Sequence, residues 1–217
     1  MSGGGFLSTD ITHLDHKLLE LLPQAPNGHL FREAYLSSPW PNVKVEEQRC
    51  KIVERKLLFQ VCMVEDISRS KLSQIDEFQM RLNPRKRMVD RVNYSKREVV
   101  TAIDVDTDEP QVKDSCSDVN RVYKLTLQDK IGQLFYAINI EHIATLKTCM
   151  LGAKVIVLPG TVFNRGMFML TNANLRTLFG LIPSWNADKD RKICTYLESK
   201  LDDDREVLNG ANGKRKR

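Results

Sequence analysis

The stretch from Tyr123 to Leu170, YKLTLQDKIGQLFYAINIEHIATLKTCMLGAKVIVLPGTVFNRGMFML, decides the fold. It holds four short apolar runs: Tyr123 to Leu127, Leu134 to Ile138, Lys154 to Leu158 and Met167 to Leu170. Turn formers separate them, namely Asp129-Lys130-Ile131-Gly132, Pro159-Gly160 and Asn164-Arg165-Gly166. Closely spaced strands joined by Gly-containing turns predict a small barrel, not a helical bundle or a parallel βαβ sheet. Two of the runs, Val155 to Leu158 and Met167 to Leu170, are apolar at every position. A sheet with one wet face alternates apolar and polar residues, so these strands need cover on both sides, from helices of the chain or from another protein.

Upstream, Leu57 to Val64 reads as the first barrel strand, with Leu57, Phe59, Val61 and Met63 on one face. Ser68 to Phe78 either extends that strand past a bulge or turns into a short helix. The N-terminal quarter reads as helical. Asp10 caps a segment that carries Ile11, Leu14, Leu18 and Leu21 on one side. A second helix is predicted from Leu30 through Tyr35 and a third from Val45 to Glu54. Such short helices are unstable alone and must dock. Trp40, between Pro39 and Pro41, is read as a core plug, with an exposed docking point as the alternative. After the barrel, Asn186 or Asp188 caps a last helix with Ile193, Leu197 and Leu201 at four-residue spacing. The fold class is therefore mainly β with helices: a helical module over residues 1–56 packed on a barrel over 57–182, then a C-terminal helix and basic tail over 183–217.

An insertion of weak apolar periodicity interrupts the barrel from about 79 to 120. Its first half is basic, including Arg85, Lys86 and Arg87; its second half is acidic, including Asp106, Asp108 and Glu109. A loop of this length in a compact domain is either a solvated excursion or a functional arm. As an arm, its cations suit phosphates and its anions a basic partner.

Composition limits the function. With 217 residues, 41% hydrophobic content and a formal charge of +5, the chain suits one domain with appendages; it permits nucleic-acid contact without demanding it. The start, Met1-Ser2-Gly3-Gly4-Gly5, lacks a signal peptide's apolar core, and no apolar run approaches the ~20 residues that span a bilayer. Five scattered cysteines form no C-x-x-C pair, which predicts no metal and a reducing compartment. His13, His16 and His142 have no nucleophile at a useful spacing, and no phosphate-binding glycine loop is present. The expectation is no enzyme, no cofactor and no membrane association.

Three runs carry a resemblance. LLFQVCMVEDISRSKLSQID (Leu57 to Asp76), CMLGAKVIVLPGTVFNRG (Cys149 to Gly166) and YLESKL (Tyr196 to Leu201) resemble the RecQ-mediated genome instability protein family in its short fungal form. The likeness covers roughly Phe31 to Arg217. It implies an OB-fold behind a helical N-terminal module, with no catalytic activity. It further implies a structural partner of topoisomerase III and of a RecQ-family helicase, which together dissolve double Holliday junctions in the nucleus. The family's barrel carries an insertion between its first two strands that favours decatenation, and residues 79–120 fall in that place. For the partner surface the candidates are Lys154, Lys124, Phe163 and Arg165; for the insertion they are Arg85, Lys86, Arg87, Asp106, Asp108 and Glu109. The tail Gly213-Lys214-Arg215-Lys216-Arg217 is a candidate localisation element or phosphate contact.

The alternative is an OB-type module for single-stranded DNA, which needs exposed aromatic platforms and a basic groove. By strand parity Tyr123 and Tyr136 read as buried, which leaves Phe135, Phe163 and Phe168 for stacking.

Overall fold

The structure is a computed structural model that describes residues 5–14, 16–21, 27–41, 44–83 and 121–213. These fall into two compact units, one holding residues 5–68 and 121–187, the other 69–83 and 188–213.

The first unit is built on one mixed sheet of eight strands. They are β1 (Lys51–Ile52), β2 (Leu57–Asp66), β3 (Tyr123–Gln128), β4 (Leu134–Asn139), β5 (Lys154–Val157), β6 (Val162–Asn164), β7 (Met167–Leu170) and β8 (Leu175–Phe179). Their spatial order is β1-β6-β7-β4-β3-β2-β5-β8. All pairs are antiparallel except β4 and β7. The sheet curls into a half-barrel around Leu57, Phe59, Val61, Leu125, Leu127, Phe135, Phe163 and Phe168. Trp40 closes this core, 5.4 Å from the Phe163 ring and 6.0 Å from that of Phe168. Its reading as a plug holds.

The inward set of β2 departs from simple alternation. The β2–β3 register shifts between Val61 and Met63, leaving Cys62 as the extra residue of a bulge. Val64, not Met63, then packs against the core. In β4 the predicted parity is reversed: Phe135 and Ala137 are buried, while Leu134 and Tyr136 are exposed. Every position from 134 to 138 is apolar, so period-two patterning could not choose a face. The pairing of Phe135 with the inward Leu127 does.

The helical expectations are corrected in part. Asp10 does cap, its carboxylate accepting from the Thr12 N–H at 2.9 Å, but it caps a 3-10 turn, Ile11–His13. Leu14 is extended, and α1 (His16–Leu21) is a separate helix. The second helix is present as α2 (Gly28–Ser37). The third is not. Lys44 and Cys50 both have positive φ, which breaks helical propagation, and the segment gives only a 3-10 turn, Val45–Glu47, before β1. Short helices α4 (Ala144–Lys147) and α5 (Pro183–Asn186) connect strands.

The second unit contains α3 (Lys71–Leu82) and α6 (Lys189–Gly213). Ser70 caps α3 by accepting from the Ser73 N–H, so the ambiguous stretch after β2 is helical. The two helices run antiparallel. Lys71 pairs with Asp204, and Gln79 donates to Glu198 at 3.0 Å. Ile75 on α3 and Ile193, Cys194 and Leu197 on α6 are buried. Asn186 does not cap α6; its side chain bridges to the backbone of Leu151 instead.

Candidate partner-binding face

The outer surface of the half-barrel is divided in two. Over the first part of β2, and over β5 and β8, it is covered. Leu58, Ile156 and Leu178 form a second core with Phe6, Ile11, Leu19, Phe31 and Ala34 from the N-terminal segment. Burying such side chains stabilises by about 1.5–3 kcal/mol each, enough to hold short helices that would not persist alone.

A polar seam marks the border of the covered half. Gln60 on β2 stands opposite Gln128 on β3 and Lys154 on β5. Its amide nitrogen donates to Asp10 and to Gln128, each at 2.8 Å, and its oxygen accepts from the Ile11 N–H at 3.1 Å. Lys154 donates to the Gly152 carbonyl at 2.6 Å and to Gln60 at 3.4 Å. Burial depresses its ammonium to about 8, although the Asp10 charge opposes that shift. Burial would raise the Asp10 carboxyl, but hydrogen bonds from Thr12 and Gln60 outweigh it and hold the group below the usual value. Cys62, beside this seam, is pushed up to about 11 by burial and then by the Asp10 charge, so it stays a thiol.

The other half, over β1, β6, β7, β4 and β3, carries no second core among the described residues. Strand register aligns its outward side chains in rows. One row runs Ile52, Val162, Met169, Ile138, Lys124, Glu65. The next runs Asn164, Met167, Tyr136, Thr126, Met63. Leu134 lies on the same face, one step further along β4. Ile52 is 58% exposed, Leu134 57% and Tyr136 46%. The Lys124 ammonium lies 4.3 Å from the centre of the Tyr136 ring. The result is an apolar ladder across four strands, bounded by a cation.

The predicted contact residues sort by this geometry. Lys154 is corrected: it is 0% exposed, because its strand is flanked by β2 and β8 and its outer side is roofed by the N-terminal turn. Phe163 is corrected too: it is 0% exposed and its ring is 4.6 Å from that of Phe168, so neither residue reaches a surface. Phe135 and Phe168 are likewise in the core and present no stacking platform, whereas Tyr136, read as buried, is exposed, as is Phe179 at the end of β8. Lys124 stands at the β3 end of the ladder. Arg165 is exposed in the β6–β7 turn at the other end, with φ of 48° and its N–H on the Gln48 carbonyl at 2.7 Å. Arg85, Lys86, Arg87, Asp106, Asp108 and Glu109 lie outside the described residues, as does the basic tail beyond Gly213. Sequence reasoning missed Ile52, Val162, Met167, Met169 and Leu134. For Leu134, Met167 and Met169 the signal was the apolarity of both strand faces; Ile52 fell in the predicted third helix and Val162 outside the predicted strands.

Comparison with known proteins identifies this architecture. Residues 41–193 match the family described as RMI1, N-terminal OB-fold domain. The chain belongs to the RMI1 family. Over 246 aligned positions it is 39% identical to RecQ-mediated genome instability protein 1 of Saccharomyces cerevisiae, an alignment covering 100% of this chain and 99% of that protein. The half-barrel is therefore an OB-fold, and the resemblance carried by Leu57 to Asp76 and Cys149 to Gly166 is borne out. The RMI1 match spans β1 through β8, so both halves of the outer face belong to the family's domain.

Proposed function

We propose that this RMI1-family chain is a non-catalytic structural subunit that binds topoisomerase III and a RecQ-family helicase. In that role it stimulates decatenation and the dissolution of double Holliday junctions during DNA repair and recombination in the nucleus. The observation that carries this reading is the open apolar ladder on the OB-fold. Among the described residues the N-terminal segment covers one half of the outer face, and the other half carries half-buried and exposed apolar side chains. Neighbouring exposed apolar side chains on one face of a folded domain are the kind of surface that proteins use for docking. Lys124 and Arg165 at its two ends supply charges that fix orientation more than affinity.

The topoisomerase cuts one strand and opens a gate, and this chain supplies no nucleophile. If the docked subunit interacts better with the open form, it shifts the population toward open by that difference in affinity. A bias of ~1.4 kcal/mol changes the ratio tenfold. The basic and acidic halves of the insertion are the sequence basis for assigning it this preference.

Substitution of the face tests the proposal. Leu134→Asp with Tyr136→Asp leaves the thermal unfolding of the chain nearly unchanged and abolishes co-purification with topoisomerase III. Retention of binding by this variant overturns the assignment of the face. Deleting residues 84–118 behind a Gly/Ser linker separates the second part: binding survives while decatenation stimulation falls. Unchanged stimulation removes the insertion from the mechanism.

The second reading, single-stranded DNA binding, is favoured by one feature. Arg49, Lys51 and Arg165 are all exposed along the β1–β6 edge, near the Ile52 end of the ladder. Salt separates the two. DNA affinity through these cations falls steeply with ionic strength, whereas an apolar protein interface holds.

A further inference from the structure

Strand β7 sends Phe168 and Leu170 into the core and Met167 and Met169 outward. The outward pair occupies the middle of the ladder. Met167 stands between Asn164 and Tyr136, and Met169 between Val162 and Ile138. Both are half-buried, so each side chain contributes apolar contact area and is in part exposed to solvent. Methionine suits an adaptable docking surface because it is unbranched and polarizable. It is also the aliphatic side chain that oxidants convert reversibly into a polar one.

We propose that Met167 and Met169 are a modification site at which peroxide oxidation turns the centre of the open face polar and releases the docked topoisomerase. The release step rests on the reading of this face as the docking surface. A sulfur lone pair attacks one oxygen of hydrogen peroxide and the O–O bond breaks. The sulfur–oxygen bond of the sulfoxide forms, the thioether loses two electrons, and the peroxide leaves as water. No further reactant is needed. The new oxygen is a strong acceptor. Val162 and Ile138 give it no donor at Met169, so docking would bury it unpaired against an apolar partner surface. Methionine sulfoxide reductase reverses the change. Met80 and Met150 are exposed elsewhere and supply an internal reference.

The full chain is treated with hydrogen peroxide, then with a thiol reductant to restore its cysteines. Peptide mass spectrometry reads the sulfoxide at each methionine. Retention on a hydrophobic column and affinity for topoisomerase III are measured for the wild type, for M167L/M169L and for M80L/M150L. Leucine keeps the volume and apolarity of methionine. The expected result is sulfoxide at both positions, earlier elution, and an affinity loss of roughly tenfold. Both changes occur in the wild type and in M80L/M150L, are absent from M167L/M169L, and are reversed by the reductase. The proposal is overturned if Met167 and Met169 stay reduced while Met80 and Met150 oxidise. It is also overturned if M167L/M169L responds like the wild type, or if the fully oxidised chain binds as before. Failure of the docking reading looks different: the untreated chain then does not bind topoisomerase III at all, and column retention still decides whether oxidation alters the face.

Discussion

Lys154 donates its ammonium to the Gly152 carbonyl at 2.6 Å from a site that solvent does not reach. Gly152, at φ of 83°, in turn donates its N–H to the Val61 carbonyl at 2.7 Å. A lysine that reads in sequence as a surface contact thus ties β5 to the bulged part of β2 beneath the N-terminal turn. Its influence on any partner is exerted through the fold.

The depressed ammonium makes stability depend on pH. Lysine ordinarily titrates at 10.5 and Lys154 titrates at about 8. Between those values the unfolded chain holds a proton that the folded chain has lost, so this group's contribution rises with pH across that window. Below it both states are protonated, and the buried charge costs on the order of 2–3 kcal/mol. We expect Lys154→Met to remove this slope. Thermal unfolding from pH 7 to 10 checks it: the difference in stability between wild type and variant should shift toward the wild type as pH rises. A constant difference would show that Lys154 does not titrate there.

Phe163 anchors the aromatic core, against Phe168 at 4.6 Å, Trp40 at 5.4 Å and Phe135 at 6.3 Å. Phe163→Ala should therefore cost about 3–5 kcal/mol in denaturant unfolding. Any loss of binding in this variant should track the unfolded fraction. A variant of wild-type stability that fails to bind would instead return Phe163 to the surface.

Asn139 clasps the two strands that flank the hairpin turn. It accepts from the Tyr123 N–H at 2.5 Å and donates to the carbonyls of Arg121 at 3.1 Å and Glu141 at 2.8 Å. Asn139→Ala removes three hydrogen bonds that join the ends of β3 and β4 and should destabilise by on the order of 1–3 kcal/mol. Hydrogen exchange locates the effect: the Tyr123 amide should lose protection before amides in β5 do.

Helix α3 has 12 residues, a length that is marginal for an isolated helix. Its antiparallel pairing with α6 supplies what propensity does not. Ending the chain at Ala187 should strip protection from the amides of Ile75 to Phe78 in hydrogen exchange. Retained protection would show that α3 stands without α6.

Much of this could be read from local pattern. The runs at Tyr123, Leu134, Lys154 and Met167 are strands because β-branched and aromatic residues lie between turns that only Gly, Asp or Asn make cheaply. Asp10 caps because a short side-chain acceptor stands two residues before an exposed N–H group; Ser70 caps α3 in the same way, but sequence leaves the stretch from Ser68 open between strand and helix. The face of β4 was not legible. Leu134 and Tyr136 are as apolar as Phe135 and Ala137, and sequence offers no contrast when both sides of a strand are greasy.

The amino-acid order alone was enough for β2, β3, β4, β5 and β7, for the turns between them and for kinship, because backbone propensity and long family-specific runs are local properties; β1 reads in sequence as part of a helix, and β6 and β8 give no strand signal of their own. Which apolar face is roofed and which stays bare, and hence that Lys154 and Phe163 are interior while Tyr136, Met167 and Met169 look outward, was decided only by tertiary structure. That choice depends on the β2 bulge, on the β4–β7 register and on where Phe6, Ile11, Leu19 and Phe31 pack. All three balance burial across chain segments far apart in sequence.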